Sequence, residues 1–308
     1  MSKSIKYSVV VPVYHSSESL FELANGVEEV FSHIDEEFEL IFINDSWNNK
    51  PTVAALDQLD SRPYVRVITL MRNFGQPAAI LCGFKYSKGD YVITMDDDLQ
   101  HSPGDIPKLI EMQDHDLVIA AFDQKKHRWN RNLWSRIKSW FDYKFIRKPR
   151  HIYNSPFRLI KKEVIDAALR VRTSHPFIAA LLYYATDDVV NVEVEHKSRK
   201  YGKSGYSFYS LLKHFSNLLF NNTSFALRLV SYLGVLIVSV SFLSMIYLVT
   251  RRIMIEQMPA GWTSIMVVLL FIGGVIMFSL GIIGEYLLRI ITGVERKPAY
   301  LVRSVTKK

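Results

Sequence analysis

The chain has 308 residues, a hydrophobic fraction of 49% and a formal net charge of +8 at pH 7. Its single cysteine excludes an internal disulfide framework and fits a reducing compartment. The sequence has no zinc-ligand spacing, Walker loop or nucleic-acid-binding motif. We therefore expect the excess basic charge to face a membrane surface and not nucleic acid.

The N-terminal half alternates between two hydrophobic periodicities. Five segments predict strands: KYSVVVPVY, FELIFIND, VRVITLM, DYVITMD and DLVIAAF. Between them, three segments predict helices: SSESLFELANGVEEVFSHI, GQPAAILCGFKYS and PGDIPKLIEMQ. This alternation predicts an α/β fold of βαβ units, with a mainly parallel sheet and helices on both faces. Ligands of such sheets bind beyond the carboxyl ends of the strands, which is where Tyr14, Asp45 and Asp96 to Asp98 fall.

The C-terminal part differs in composition. Residues 229–250 and 262–284 contain no charged side chain, and each segment is long enough to cross a bilayer. They predict a transmembrane hairpin; two buried core helices are the alternative, disfavoured because such helices seldom lack a polar face. More basic residues flank the pair than lie in its turn, which predicts cytoplasmic flanks.

The remaining boundaries follow from this hairpin. Residues 207–228 are amphipathic and predict a helix in the membrane interface, although an ordinary surface helix is the alternative. The chain then divides into a cytoplasmic α/β domain (1–206), the interfacial segment (207–228), two transmembrane helices (229–290) and a basic cytoplasmic tail (291–308).

Three consecutive aspartates, Asp96, Asp97 and Asp98, follow the fourth predicted strand. Like charges this close repel one another, so stability alone does not explain the cluster. Carboxylate oxygens at a strand end can hold Mg²⁺ or Mn²⁺. Asp96 and Asp98 would face the same side if the strand continued through them. A polar loop at the strand exit is the alternative interpretation.

Several blocks together resemble the inverting family 2 glycosyltransferases with a GT-A fold, and most closely their polyprenyl-phosphate branch. These blocks are VVVPVY, FELIFIND, RNFGQPAAILCGF, DDDLQHSP and RKYGKSGYSF. The branch includes dolichol-phosphate mannose synthase and bacterial enzymes that load sugars onto undecaprenyl phosphate. The resemblance runs from about Ile5 to Tyr300. It implies a nucleotide-sugar donor, a polyprenyl-phosphate acceptor, a Mg²⁺ or Mn²⁺ cofactor, an inner-membrane location and self-association.

The resemblance also implies roles for individual residues. For the nucleotide-sugar, it points to Pro12, Val13, Tyr14, Asp45, Arg72, Asn73, Gly75 and Asp97. For the metal and the donor diphosphate, it points to Asp96, Asp98 and Gln100. For the acceptor phosphate, it points to Ser155, Arg158, Arg199, Lys203 and Ser204. The residues expected to carry catalysis are Asp96, Asp98 and Arg158.

The sequence departs from the family pattern in four places. These are His15–Ser17, where relatives have acids, Asn44–Trp47, where they have D-D-G-S, Phe122 in place of arginine and Gly205 in place of lysine. The departures leave the donor sugar open. Transfer to a hydroxyl acceptor is one alternative function, and a catalytically inactive membrane adaptor, which the departures keep open, is another. The absence of a Q-x-x-R-W block argues against the first, and the intact Asp96, Asp98 and Gln100 argue against the second.

Overall fold

The computed structural model describes residues 4–122, 149, 152–171, 173, 176–194 and 298–306, together with scattered positions from 243 to 294. The strands are β1 (Tyr7–Val13), β2 (Phe38–Asn44), β3 (Val65–Leu70), β4 (Tyr91–Thr94), β5 (Leu117–Phe122), β6 (Arg158–Lys161), β7 (Val189–Val194) and β8 (Val302–Val305). They form one eight-stranded sheet in the order β7-β5-β6-β4-β1-β2-β3-β8.

Helices cover both faces of this sheet. They are α1 (Glu18–Ile34), α2 (Lys50–Leu59), α3 (Gln76–Tyr86), α4 (Ile106–Ile110), α5 (Lys162–Arg170) and α6 (Ile178–Ala185), with a 3₁₀ turn at Pro103–Asp105. Successive residues of a strand point to opposite faces. Accordingly, Val9 and Val11 belong to the core that includes α1, α2 and α4, and Val10 belongs to the core that includes α3, α5 and α6.

Strand direction places the polar strand ends together. β1 runs parallel to β2 and β4, and β2 runs parallel to β3, so their carboxyl ends share one edge. β6 lies antiparallel between β4 and β5. Its first residue, Arg158, pairs with Thr94 at the end of β4 and therefore reaches the same edge. The predicted α/β fold, with a mainly parallel sheet and helices on both faces, is confirmed.

The last strand differs from the sequence-based expectation. Residues 291–308 were expected to form a basic tail, but Val302–Val305 form β8, antiparallel to β3. Met71 N donates to Leu301 O at 2.9 Å, and Val67 N donates to Thr306 Oγ1 at 2.9 Å. A four-residue strand shows too little alternation to be recognised when its partner lies more than 200 residues away.

Two compact units make up the chain: Met1–Gly205 with Lys297–Lys308, and Tyr206–Arg296. In the second unit, described helical positions such as Ile265, Leu269, Ile272 and Ile276 have exposed apolar side chains. No helix within the described part of the chain is both long and apolar enough to span a membrane. The predicted interfacial helix, and most of the two predicted spans, lie outside the described residues.

Candidate active site

A cleft of about 590 Å³ lies where β1, β2 and β4 end. Nine of the residues predicted to bind the donor or metal line it: Pro12, Val13, Tyr14, Asp45, Asn73, Gly75, Asp96, Asp97 and Asp98. They come from four separate stretches of the chain. The parallel strands bring these stretches to one edge, as expected for a sheet of this kind.

Asp45 follows β2 and holds the loop that leads into α3. Its Oδ1 accepts a hydrogen bond from Phe74 N at 2.8 Å, and its Oδ2 accepts one from Gly75 N at 2.7 Å. Gly75 has a φ of +89°, a conformation that favours glycine. Burial raises the pKa of Asp45, and the two backbone N–H groups act in the opposite direction. The carboxylate therefore fixes the wall of the cleft between β2 and α3.

The three consecutive aspartates have three different partners. β4 ends at Thr94, so strand alternation does not set their directions. Asp96 Oδ1 accepts from Gln76 Nε2 at 2.6 Å, and Asp97 Oδ2 accepts from Tyr14 N at 3.3 Å. Asp98 Oδ1 accepts from Gln100 N at 3.1 Å. Gln100 thus joins the site through its backbone.

The charge of this cluster is only partly compensated. Burial raises the pKa of Asp96 to about 7, and the negative charges of Asp98 and Asp97 contribute to the rise. Arg158 and Gln76 act in the opposite direction. Burial also raises the pKa of Asp97. The carboxylates of the cleft therefore repel one another near neutral pH and would be stabilised by a cation.

Arg158 is a positively charged neighbour of this acidic cluster. Its side chain is buried, with the residue 7% exposed, and its Nε has no hydrogen-bond partner among the described residues. Burial lowers the pKa of its guanidinium, while the neighbouring Tyr183 and Asp96 raise it. A buried guanidinium with unused donor capacity beside a carboxylate can receive a further anion.

A buried contact joins the loop after the aspartates to the segment before β6. His101 Nε2 and Ser155 Oγ are hydrogen-bonded at 3.1 Å, and Phe157 N donates to the same Ser155 oxygen at 3.1 Å. In addition, Thr94 Oγ1 donates to Pro156 O at 2.6 Å. These bonds fix the start of β6, and therefore Arg158, relative to the end of β4.

Not every predicted residue lines the cleft. Arg72 is exposed, and its guanidinium lies over the ring of Phe74 at 4.9 Å. Ser155 and Arg158 are buried and do not line the cleft. The predicted acceptor residues Arg199, Lys203 and Ser204, and the departure at Gly205, lie outside the described residues.

The sequence-based prediction missed several residues that line the cleft, among them His15, Ser16, Ser17 and Gln76. It also missed His101 and Tyr183, which do not line the cleft but neighbour Ser155 and Arg158. Gln76 directly follows Gly75, and His101 directly follows Gln100, so both lie in sequence blocks that carry the family resemblance. Tyr183 comes from α6, and nothing in the sequence around it indicates that it neighbours Arg158.

The sequence pattern of glycosyl transferase family 2 matches residues 8–169, which include every residue of the cleft. The chain belongs to this family. It is 31% identical over 307 residues to the undecaprenyl-phosphate 4-deoxy-4-formamido-L-arabinose transferase of Proteus mirabilis (strain HI4320), covering 97% of this chain and 94% of that protein. It is 30% identical over 309 residues to the protein of the same name from Sodalis glossinidius (strain morsitans), covering 98% and 94%. The predicted resemblance to the polyprenyl-phosphate branch of the family is thereby confirmed.

Among solved structures, glucosyl-3-phosphoglycerate synthase from Mycobacterium tuberculosis, in complex with Mn²⁺, uridine diphosphate and phosphoglyceric acid, gives a TM-score of 0.49. It is 13% identical in sequence, and the match covers 70% of this chain and 74% of that one.

Proposed function

We propose that this family 2 glycosyltransferase moves a sugar from a nucleotide-sugar to undecaprenyl phosphate, with inversion at the anomeric carbon. The names of its near-full-length relatives support this acceptor. The structural observation that carries the proposal is the buried Arg158, which has unused donor capacity and neighbours Asp96, one of the carboxylates that line the cleft.

The donor nucleotide would occupy the cleft itself. Its volume of about 590 Å³ and its lining suit a nucleoside diphosphate, because the polar residues Tyr14, Asp45 and Asn73 line the cavity. Asp45 uses its two oxygens to accept backbone N–H groups, and each oxygen retains a lone pair for a donor on the ligand. The reacting sugar would then lie toward Asp96 to Asp98.

The residues at this end fit a divalent cation. Among the described residues, no group of three or more His, Cys, Asp or Glu side chains forms a complete metal site. However, Mg²⁺ commonly binds one or two carboxylates and completes its coordination with substrate phosphates. Asp96 and Asp98 supply such a pair. Burial, followed by the negative charges of Asp98 and Asp97, raises the pKa of Asp96. When bound, Mg²⁺ or Mn²⁺ would neutralise the charge that develops on the departing diphosphate.

The acceptor explains the use of arginine. A sugar hydroxyl must lose a proton when it attacks, so a hydroxyl acceptor calls for a general base. A lipid phosphate is already ionised and needs orientation and charge screening instead, which guanidinium groups supply. Arg158 would orient one phosphate oxygen for in-line attack on the anomeric carbon, while the bond to the donor diphosphate breaks.

Attachment to the membrane is part of the proposal. Residues 229–250 and 262–284 carry no charge and would form the transmembrane hairpin. Basic residues on their flanks favour a catalytic domain on the cytoplasmic face of a bacterial inner membrane. This location gives the enzyme access to both a soluble donor and a lipid acceptor.

The experiment is product formation by the full-length protein in detergent. A panel of radiolabelled nucleotide-sugars, including a nucleotide-linked 4-deoxy-4-formamido-L-arabinose, is incubated with undecaprenyl phosphate and Mg²⁺. We expect labelled lipid in the organic phase, with the label released by mild acid. Label that resists mild acid would favour a hydroxyl acceptor, and no labelled lipid with any donor would favour the inactive adaptor.

A further inference from the structure

Three residues that depart from the family pattern are connected in the structure. Asn44 Oδ1 accepts from Ser46 N at 2.9 Å and from Ser46 Oγ at 3.2 Å. Ser46 Oγ in turn accepts from His15 N at 3.3 Å. A hydrogen-bonded chain therefore runs from the end of β2 to the turn between β1 and α1. Because each group orients the next, these three positions act together.

His15 has an unusual backbone conformation. Its φ of +59° lies in the left-handed region, which residues other than glycine seldom adopt. The N–H of Tyr14 is held by Asp97 Oδ2, and the N–H of His15 is held by Ser46 Oγ. Strained conformations of this kind persist where their surroundings fix them, and they cluster at ligand sites. These two hydrogen bonds therefore fix the turn in the conformation in which His15 lines the cleft.

The two side chains of this turn form an exposed aromatic pair. The rings of Tyr14 and His15 are stacked, with centroids 4.1 Å apart and an interplanar angle of 14°. Tyr14 is 53% exposed, His15 is also exposed, and both line the cleft. A stack that only stabilised the turn would gain most by being buried against the protein. Both residues of this pair instead remain exposed where they line the cleft.

We propose that His15 is a further donor-binding residue, whose imidazole extends Tyr14 into a platform on which the planar base of the donor nucleotide stacks. Ser46 and Asn44 are positioning residues that hold His15 in place. The inference rests on the proposed function, because it assumes that the cleft binds a nucleoside diphosphate. Stacking of a base on an aromatic side chain tolerates different bases and contributes strongly to binding.

The test is equilibrium binding of nucleoside diphosphates to the full-length protein in detergent. The probe is whichever of UDP, GDP and CDP binds the wild type most tightly, with inorganic diphosphate as a probe that lacks a base. His15→Asn removes the ring but keeps a residue that tolerates the left-handed backbone. His15→Phe keeps an aromatic ring. His33→Asn is the matched control, since His33 is exposed on α1 and does not line this cleft.

We expect His15→Asn to weaken nucleotide binding by about fivefold or more, as for the loss of a stacked aromatic ring. We expect His15→Phe and His33→Asn to stay within about twofold of the wild type, and inorganic diphosphate to bind all four proteins equally. Ser46→Ala should raise the KM for the donor with little change in kcat. Ser46→Thr, which keeps the hydroxyl group, should have a donor KM close to that of the wild type.

The outcomes separate this inference from the proposed function. If the wild type binds none of the three nucleotides, the proposed function fails. If it binds one of them and His15→Asn binds that nucleotide as tightly, only the role of His15 is overturned. An equal loss in His15→Phe, or a parallel loss of inorganic diphosphate binding, would overturn stacking with the base.

Discussion

Glu39 at the amino edge of the sheet and Asp96 at the carboxyl edge have opposite surroundings. At the amino edge, Glu39 is 5% exposed, and its Oε1 accepts from Ser8 Oγ and from Lys88 N, both at 2.7 Å. Its Oε2 lies 3.7 Å from Arg66 Nη1. At the carboxyl edge, Asp96 has Asp97 and Asp98 as its neighbours, and their charges help to raise its pKa.

This difference indicates that the amino edge contributes to stability and that the carboxyl edge is suited to binding a ligand. The amino edge surrounds its carboxylate with donors and a cation, which is how a buried charge becomes compatible with stability. The carboxyl edge keeps repulsion that the protein alone does not remove. Residues held in an arrangement that costs stability are expected where a ligand completes the site.

The largest effect on stability should come from the amino edge. Glu39→Ala removes the carboxylate beside the buried Arg66, and loss of one member of a buried pair typically costs about 3–5 kcal/mol. Thermal unfolding of the full-length protein in detergent should therefore start at a clearly lower temperature. Glu36→Ala is the control, because its half-exposed pair with Lys6 should contribute less than about 1 kcal/mol. Equal shifts in the two variants would contradict the comparison.

The largest effect on activity should come from the carboxyl edge. Asp98→Asn removes a proposed ligand charge, so we expect turnover to fall by at least about 10²–10³-fold. The unfolding temperature should stay the same or rise, because repulsion within the cluster is reduced. Asp114→Asn, at an exposed position away from the cleft, should leave turnover unchanged. Unchanged turnover in Asp98→Asn would defeat the metal assignment.

The pH dependence of stability should show what the ionisation of Asp96 costs the folded protein, through burial first and through repulsion by Asp98 and Asp97 second. Since the folded-state pKa of Asp96 is raised to about 7, its ionisation destabilises the fold as pH rises from about 4 to 7. Asp96→Asn should therefore unfold at a higher temperature than the wild type above pH 7, and the difference should vanish near pH 4. In the absence of metal, each kcal/mol of difference in the free energy of unfolding should shift the unfolding temperature by about 2–4 °C. A difference that does not change with pH would show that the charge of Asp96 is not responsible.

Adding Mg²⁺ sharpens the same test. Ligands that bind only the folded state raise its stability. Mg²⁺ together with a nucleoside diphosphate should raise the unfolding temperature of the wild type more than that of Asp96→Asn. Asp57→Asn, on the exposed side of α2, should respond to pH and to Mg²⁺ as the wild type does.

Much of this architecture could be predicted from the sequence because the signals are local. The strands that became β1 to β5 are rich in apolar residues, such as Val9 to Val11 of β1, which are buried on both faces of the sheet. The carboxyl-end rule for parallel sheets then placed Tyr14, Asp45 and Asp96 at one edge without knowledge of their contacts. The position of the cleft followed from these two steps, whereas its expected role in binding a nucleotide came from the family resemblance.

The missing parts depend on pairing between distant segments. β6 has four residues, and its insertion between β4 and β5 gives no periodic signal. Yet this insertion is what sets Arg158 beside Asp96. The contacts among Asn44, Ser46 and His15 were equally hidden, because each residue was known only as a local departure from the family pattern.

The smallest expected effect concerns β8, the strand that the sequence-based prediction missed. A substitution in β8 tests whether every contact at the carboxyl edge of the sheet contributes to nucleotide binding. The guanidinium of Arg303 lies 4.1 Å from the centroid of the ring of Trp47. Trp47 directly follows Ser46 in the sequence. An exposed cation–π contact contributes about 0.5–1 kcal/mol. Arg303→Gln should therefore lower the unfolding temperature by about 1–4 °C, and Arg303→Lys, which keeps a cation, by less. Nucleotide binding should not change. If Arg303→Gln instead weakened nucleotide binding as much as His15→Asn, then β8 would belong to the donor site, and the boundary between structural and binding residues would have to be drawn beyond the cleft.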